Sequence, residues 1–432
     1  MGFKTSIKKR LNTLASSLAK NIGRFWSRYP FVDIFSIHLG HTLIESAYML
    51  QHRPILVFWR RPVANRWLVE KLENNLPFPT IQKWINKISP NTKKSSFREK
   101  LRTKATNLSD QYYLLNLGFN CLPKRLPELH FNNYEEKDSK NFLTENSLQK
   151  EKYVCFCIRD ESYYMDFKPD LNFGGTNNFN FRNAKIQNYE KAAKYLNDKG
   201  IRPVLMGFSS VPAPKIFFRP SEIRSYRPWI EAFLMRECLF CVGMQTGITL
   251  YASYFQRPVL WCDVFWRGSP IGSRKDLILP KKIYKKENPG SFKQETAWNE
   301  LHMKEWVRLG PPPDNDWAHF LKKGYKTKAC SPKEIQSAVS DMLLNLKTKK
   351  VFLNTQDRAR HREFSKIHLK KTKKMGFPPT RLAPTWAAAN QHLFFPALNH
   401  TYEKFWLSDK VGPDKDFEDA YIDHKTGQKM RI

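Results

Sequence analysis

A chain of 432 residues, 41% hydrophobic and 14% aromatic, is long enough and apolar enough for two domains with cores of their own. Its 73 Lys and Arg face only 40 Asp and Glu, and a formal net charge of +33 calls for an acidic partner: nucleic acid, an anionic membrane, or a phosphorylated or carboxylated substrate. No run of about 18–20 apolar residues exists to span a membrane. The seven cysteines are odd in number and sit mostly in apolar runs, which argues against a disulfide framework and for reduced thiols packed as small hydrophobes in a cytoplasmic setting.

Residues 1–30 carry a helical pattern. Phe3, Ile7, Leu11, Leu14, Leu18, Ile22 and Phe25 recur at three- and four-residue spacing, Lys and Arg fill other positions, and no acid precedes Asp33. This basic amphipathic helix is expected to anchor the protein peripherally on the inner face of the cytoplasmic membrane; the alternative is that its stripe packs on the protein body. The N-terminus has no continuous apolar core followed by a small-residue cleavage site, so no secretory leader is expected.

From Phe31 the pattern turns globular. VDIFSI is followed by the turn Leu39-Gly40-His41, a helix opened by Thr42 and Glu45, the strand RPILVFW and a helix from about Ala64. This βαβα order predicts a first α/β domain, taken with its linker as residues 31–150. Residues 131–150 are polar and partly acidic and read as a linker or surface excursion.

A second α/β run spans 151–349. YVCFCI is a buried strand, QNYEKAAKYLNDK a helix closed by Gly200, RPVLMG a strand and PWIEAFLMREC a helix. LFCVGMQTGITLYASYFQRPVLWCD then reads as strand, turn, helix and strand. Cys238 and Cys241 form a C-x-x-C with no second pair at zinc-finger spacing, so core packing is expected of them rather than metal or redox work. Ser331-Pro332-Lys333-Glu334 has the cap, N1 proline and capping-box acid of a helix start. Residues 350–432 form a basic extension whose RLAPTWAAANQHLFFP is apolar enough to pack on the body.

Two α/β domains in series direct attention to the carboxyl ends of their strands. In Gly243-Met244-Gln245-Thr246-Gly247 glycines bracket a hydroxyl residue, and Thr246 is placed to cap the next helix. Such a turn offers bare N–H groups to an anion, or is a plain βα turn in which glycine only relieves strain. Arg159 and Asp160 leave the buried strand YVCFCI, where an arginine can fork onto a phosphate and a carboxylate can act on a hydroxyl, or the two can brace the loop as a pair. His41 is a candidate base or phosphate contact, and Glu45 a candidate base that also fits a capping box. Arg182, Arg60 and Arg61 add positive charge at neighbouring loop positions.

GHTLIESAYML, VANRWLVEKL, CIRDESYY, FRNAKIQNYEKAAKYL, VGMQTGITLYASYFQRPVL and GSRKDLILPKKIY, in this order, resemble an uncharacterised bacterial family of glycosyltransferases associated with surface-polysaccharide gene clusters. The resemblance covers about residues 31–345 and extends to RLAPTWAAANQHL. More remotely, CIRDE is similar to a block of GT-B fucosyltransferases, with Cys157 where that block has histidine. VGMQTGITLYASYFQRPVL resembles the donor-phosphate turn of heptosyltransferase-like enzymes. The resemblance implies a GT-B enzyme: two Rossmann-like domains facing across a cleft, a nucleotide-sugar held by the second, a polysaccharide or lipid-linked acceptor held by the first, and no obligatory metal or other cofactor. It implies Arg159, Thr246 and Gly247 at the donor diphosphate, with Gly40 and His41 closing the site from the other domain; the loop reading adds Gly243 and Arg182 as candidate donor contacts. Asp160, His41 and Glu45 are the candidates for general base, in that order. The rival classes are a basic nucleic-acid-binding protein, without a recognisable RNA- or DNA-binding motif here, and an inactive scaffold at the membrane.

Overall fold

The computed structural model describes residues 31–34, 43, 56–59, 65–75, 106–107, 129–160, 183–207, 212–264, 275–286, 298–302, 305, 323–349, 355–358, 360–361, 381–390 and 393. The basic stretch 1–30 lies outside them. The chain divides into two compact units, the first mainly residues up to Asn132 and the second mainly Asn133 onward.

In the first unit, β1 (Phe31–Ile34) is the centre of a three-stranded parallel sheet, flanked by β2 (Leu56–Trp59) and β3 (Thr106–Asn107). Phe31 is in register with Leu56, and Val32 with Thr106. Helix α1 (Arg66–Asn75) starts where Asn65 Oδ1 accepts the Leu68 amide at 3.0 Å, and it buries Trp67, Leu68 and Leu72.

The second unit opens with α2 (Asn133–Glu145), in the stretch expected to be a linker. Its sequence is mostly polar, yet Glu135, Ser139, Phe142 and Leu143 fall on one helical face and are buried. Strand β4 (Tyr153–Cys157) is buried at every residue, and α3 (Gln187–Asn197) buries Tyr189, Ala192, Ala193 and Leu196. Gly200, at φ 73°, closes α3 in the left-handed conformation and turns the chain into β5 (Arg202–Leu205). Next come α4 (Pro228–Glu237), β6 (Cys241–Gly243), α5 (Thr249–Tyr254), β7 (Val259–Val264) and β8 (Leu277–Pro280). Helix α2 is tied to α4: the Trp229 indole donates to Asp138 at 2.8 Å and Arg236 pairs with Glu136 at 2.7 Å.

Strands β9 (Lys282–Lys286), β10 (Trp298–Glu300) and β11 (Tyr325–Lys328) form a separate antiparallel sheet in the order β10-β9-β11. Helix α6 (Pro332–Thr348) starts on the capping box read in the sequence, with both the Ser331 and Glu334 halves formed. Finally β12 (Arg381–Leu382) pairs in parallel with β8, and α7 (Pro384–Ala389) begins where Asp341 of α6 accepts the Thr385 amide at 2.9 Å and hydroxyl at 2.7 Å.

All pairings in the six-stranded sheet are parallel, in the order β12-β8-β7-β6-β4-β5. Outside β5, Phe218 makes one more parallel bridge to Val204, exchanging hydrogen bonds with Leu205 and Pro203 at 2.8 and 3.0 Å. Counting that bridge as a rudimentary strand, the unit follows the 3-2-1-4-5-6 order of doubly wound nucleotide-binding sheets, with β12 added beyond it. This is a Rossmann-like α/β sheet. The strand order reverses between β4 and β6, and the crevice beyond their carboxyl ends is where such sheets hold ligands.

Candidate functional site

The reversal point brings together the two stretches singled out in the sequence. Apolar β4 ends at Cys157, and Arg159 emerges two residues later; β6 ends at Gly243 beside it, with Cys157 in register with Gly243. The Met244 amide donates to the Cys157 carbonyl at 3.1 Å, and the Met244 thioether accepts the Arg159 amide at 3.2 Å. Both loops are therefore locked to each other.

A third loop closes on them. Arg159 Nε donates to Asn183 Oδ1 at 3.1 Å, and the Ala184 amide returns to the Arg159 carbonyl at 3.0 Å. Lys281, one residue past β8, donates its ammonium to the Asn183 carbonyl at 2.7 Å. One asparagine thus holds two cations, Arg159 by its side chain and Lys281 by its main chain. Lys281 is 3% exposed, and burial pushes its pKa below the ordinary lysine range; the Arg159 charge pushes the same way and Asp263 opposes it. Arg159 and Lys281 thus bring two positive charges to one edge, where Asp263 supplies the nearby carboxylate.

Asp263 is placed by a bulge. The β7–β8 register slips between Cys262 and Val264, and Asp263 takes φ 52°. Its buried carboxylate accepts the Tyr189 hydroxyl at 2.8 Å and the Cys330 amide at 2.8 Å, tying α3 and the start of α6 to the sheet edge.

The Gly243–Gly247 turn is tighter than a cradle of open donors. A Cβ on Gly243 would overlap the Thr249 side chain, whose Oγ1 would lie 2.8 Å away, so this glycine serves the packing of α5 on β6. The Met244 amide is used as above, and the Thr246 amide donates to the Met244 carbonyl at 2.7 Å. The Thr246 hydroxyl lies 2.9 Å from the Thr249 hydroxyl and accepts the Thr249 amide at 3.4 Å, but the N-cap of α5 is Ile248, with no side-chain cap bond, and not Thr246 as the sequence suggested. Gly247 and the half-buried Asp160 border the same edge. Gly40, His41, Glu45, Arg60, Arg61 and Arg182 lie outside the described residues.

Cys157 points away from this edge into the core, with the Cys241 thiol donating to its sulfur at 3.7 Å. Cys238 and Cys241 are likewise buried, and the Cys238 thiol donates to the Met235 carbonyl at 3.3 Å. A hollow of about 810 Å³ lies at the opposite, amino-terminal end of β4 and β5, between Lys152, Gly200 and Phe218. Arg202 in its wall is already committed to the Asn146 carbonyl at 2.6 Å and the Phe218 ring at 4.7 Å. Sequence reasoning missed Lys281 and the double role of Asn183. The only available signal was a lysine directly after the apolar run LILP.

No family model matches the chain, and no curated protein does. Among solved structures, it is similar to a glycosyl transferase family 9 protein from Veillonella parvula DSM 2008, at 12% identity and a TM-score of 0.38, over 59% of this chain and 86% of that one. Among the described residues no helix is long and apolar enough to cross a membrane.

Proposed function

We infer that the chain is a metal-independent glycosyltransferase of GT-B type, which binds the diphosphate of a nucleotide-sugar at the carboxyl edge between β4 and β6. The observation that carries this reading is the pairing of Arg159 and Lys281 on Asn183 at the point where strand order reverses. The ordered sequence blocks add the substrate class. In this reading the leaving nucleotide diphosphate gains negative charge as the glycosidic bond breaks, and the two fixed cations stabilise that charge without needing to reorganise. Thr246 and Gly247 border the diphosphate, and Gly40, His41 and Arg182 are further candidate contacts on the sequence reading alone. Asp160 removes the acceptor hydroxyl proton, with His41 and Glu45 as the alternative bases. The acceptor is a surface glycan, free or lipid-linked, and the basic segment 1–28 holds the enzyme on an anionic membrane. No cofactor beyond the donor itself is required.

The test is a thermal-shift screen without metal against UDP, GDP, CMP, dTDP and ADP, on the parent and on Arg159→Ala and Lys281→Met. One nucleotide at about 100 times its Kd should raise the melting temperature by roughly 3 °C. Both variants should lose that shift. No shift with any nucleotide, or a shift that both variants keep, overturns the donor site.

A further inference from the structure

The small antiparallel sheet grows out of the candidate site's edge. Strand β9 begins directly after Lys281, whose amide donates to the Val264 carbonyl at 2.9 Å, and β11 leads into Cys330, held by Asp263. The two faces of this sheet differ. Ile283 and Leu301 are buried on one of them, joined by a 2.8 Å main-chain hydrogen bond.

The other face alternates cations with rings. Along β9 it carries Lys282, Tyr284 and Lys286, and the register sets Lys328 opposite Lys282, Lys326 and Glu300 opposite Tyr284, and Trp298 opposite Lys286. Four lysines thus meet one carboxylate, which lies 3.4 Å from Lys282. The Lys326 ammonium sits 3.9 Å from the Trp298 ring centre and 5.8 Å from that of Tyr284. Trp298 is 37% exposed, and Lys326 and Lys328 are exposed. A tryptophan on an open, strongly basic face is the feature that folding alone does not explain.

We propose that this face binds an anionic polysaccharide chain, with sugar rings lying against Trp298 and Tyr284 and carboxylate or phosphate substituents meeting the lysines. The alternation of cations with aromatic rings suits charged sugar rings, and the carboxylate set among them argues against nucleic acid. Glu300, in the middle of the face, repels a dense run of phosphates and can accept hydrogen bonds from sugar hydroxyls. The proposal does not depend on the nucleotide site. A protein that shows no nucleotide shift can still bind the polymer here, so the two readings fail separately.

The experiment titrates the full-length protein with polygalacturonate, neutral dextran and oligo(dT) at two salt concentrations, and repeats the series on Trp298→Ala/Lys326→Ala and on Lys326→Arg. Polygalacturonate should bind with marked salt dependence, dextran should not bind, and the double variant should lose roughly tenfold in affinity. Lys326→Arg, which keeps charge and ring contact, should retain binding and so excludes a folding artefact. Polygalacturonate binding that is absent in the parent or unchanged in the double variant overturns the proposal. So does tighter binding of oligo(dT) that the double variant loses, which would make this a nucleic-acid face.

Discussion

The two sheets of the second unit are held together by opposite means. The six-stranded sheet is dry: Tyr153–Cys157, Cys241–Gly243, Val259–Val264 and Leu277–Pro280 are buried at every position, and the six described cysteines are all buried. Its elements are fixed by removing apolar surface from water. The β10-β9-β11 sheet is wet on one side, and its strands KIYKK, WNE and YKTK are specified by cross-strand pairs of lysine, ring and carboxylate. The dry sheet therefore sets stability, while the wet sheet is free to be shaped by a ligand.

The largest break expected in that contrast is Trp261→Ala. Trp261 is 1% exposed in the middle of β7, with its indole donating to Asp276 at 3.3 Å, and truncation leaves a cavity and removes that hydrogen bond. Chemical denaturation should show a loss of about 3–5 kcal/mol. Glu231 of α4 probes the same core by pH. It is buried, and desolvation raises its carboxyl from 4.5 to about 7, while the Tyr226 hydroxyl, donating at 3.1 Å, works against the rise. A raised carboxyl pKa means the folded state holds a proton that the unfolded state releases. Stability should then be full below pH 4.5 and fall as pH rises to about 7. The loss is up to about 3 kcal/mol. Glu231→Gln should flatten that stretch of the stability–pH curve and gain most at pH 8. An unchanged slope in the variant would assign the pH dependence to other groups.

The same contrast explains what could be read from the sequence. YVCFCI, RPVLMG, LFCVG and VLWCD read as strands because continuous apolar runs bounded by turns have one good explanation, and Gly200 and the Ser331–Glu334 box mark helix ends by local chemistry alone. The strands β9 and β11 escape such a reading because a lysine-rich strand is indistinguishable from a charged loop until its partners are known. Helix α2 is hidden for a similar reason: its buried stripe includes Glu135 and Ser139, which average hydropathy counts as exposed. At the candidate site, Arg159 and the glycine turn are legible because each follows an apolar strand. Lys281 and Asn183 are not, because they lie 98 residues apart in sequence and only the topology makes them neighbours. At the glycine turn, Gly243 makes room for the Thr249 side chain, which fits the plain βα-turn alternative at that position.

The smallest expected effect sharpens the comparison most. Lys326→Ala removes an exposed cation lying on Trp298, a contact worth about 0.5–1 kcal/mol at an exposed site. It opens no cavity and leaves no buried group unpaired, so the denaturation midpoint should barely move. If the midpoint fell as far as it does for Trp261→Ala, the wet sheet would belong to the cooperative core, and its lysines would be there for folding. A small change leaves the exposed Trp298 and its surrounding charge without a structural purpose, which is the condition expected of a surface kept for binding.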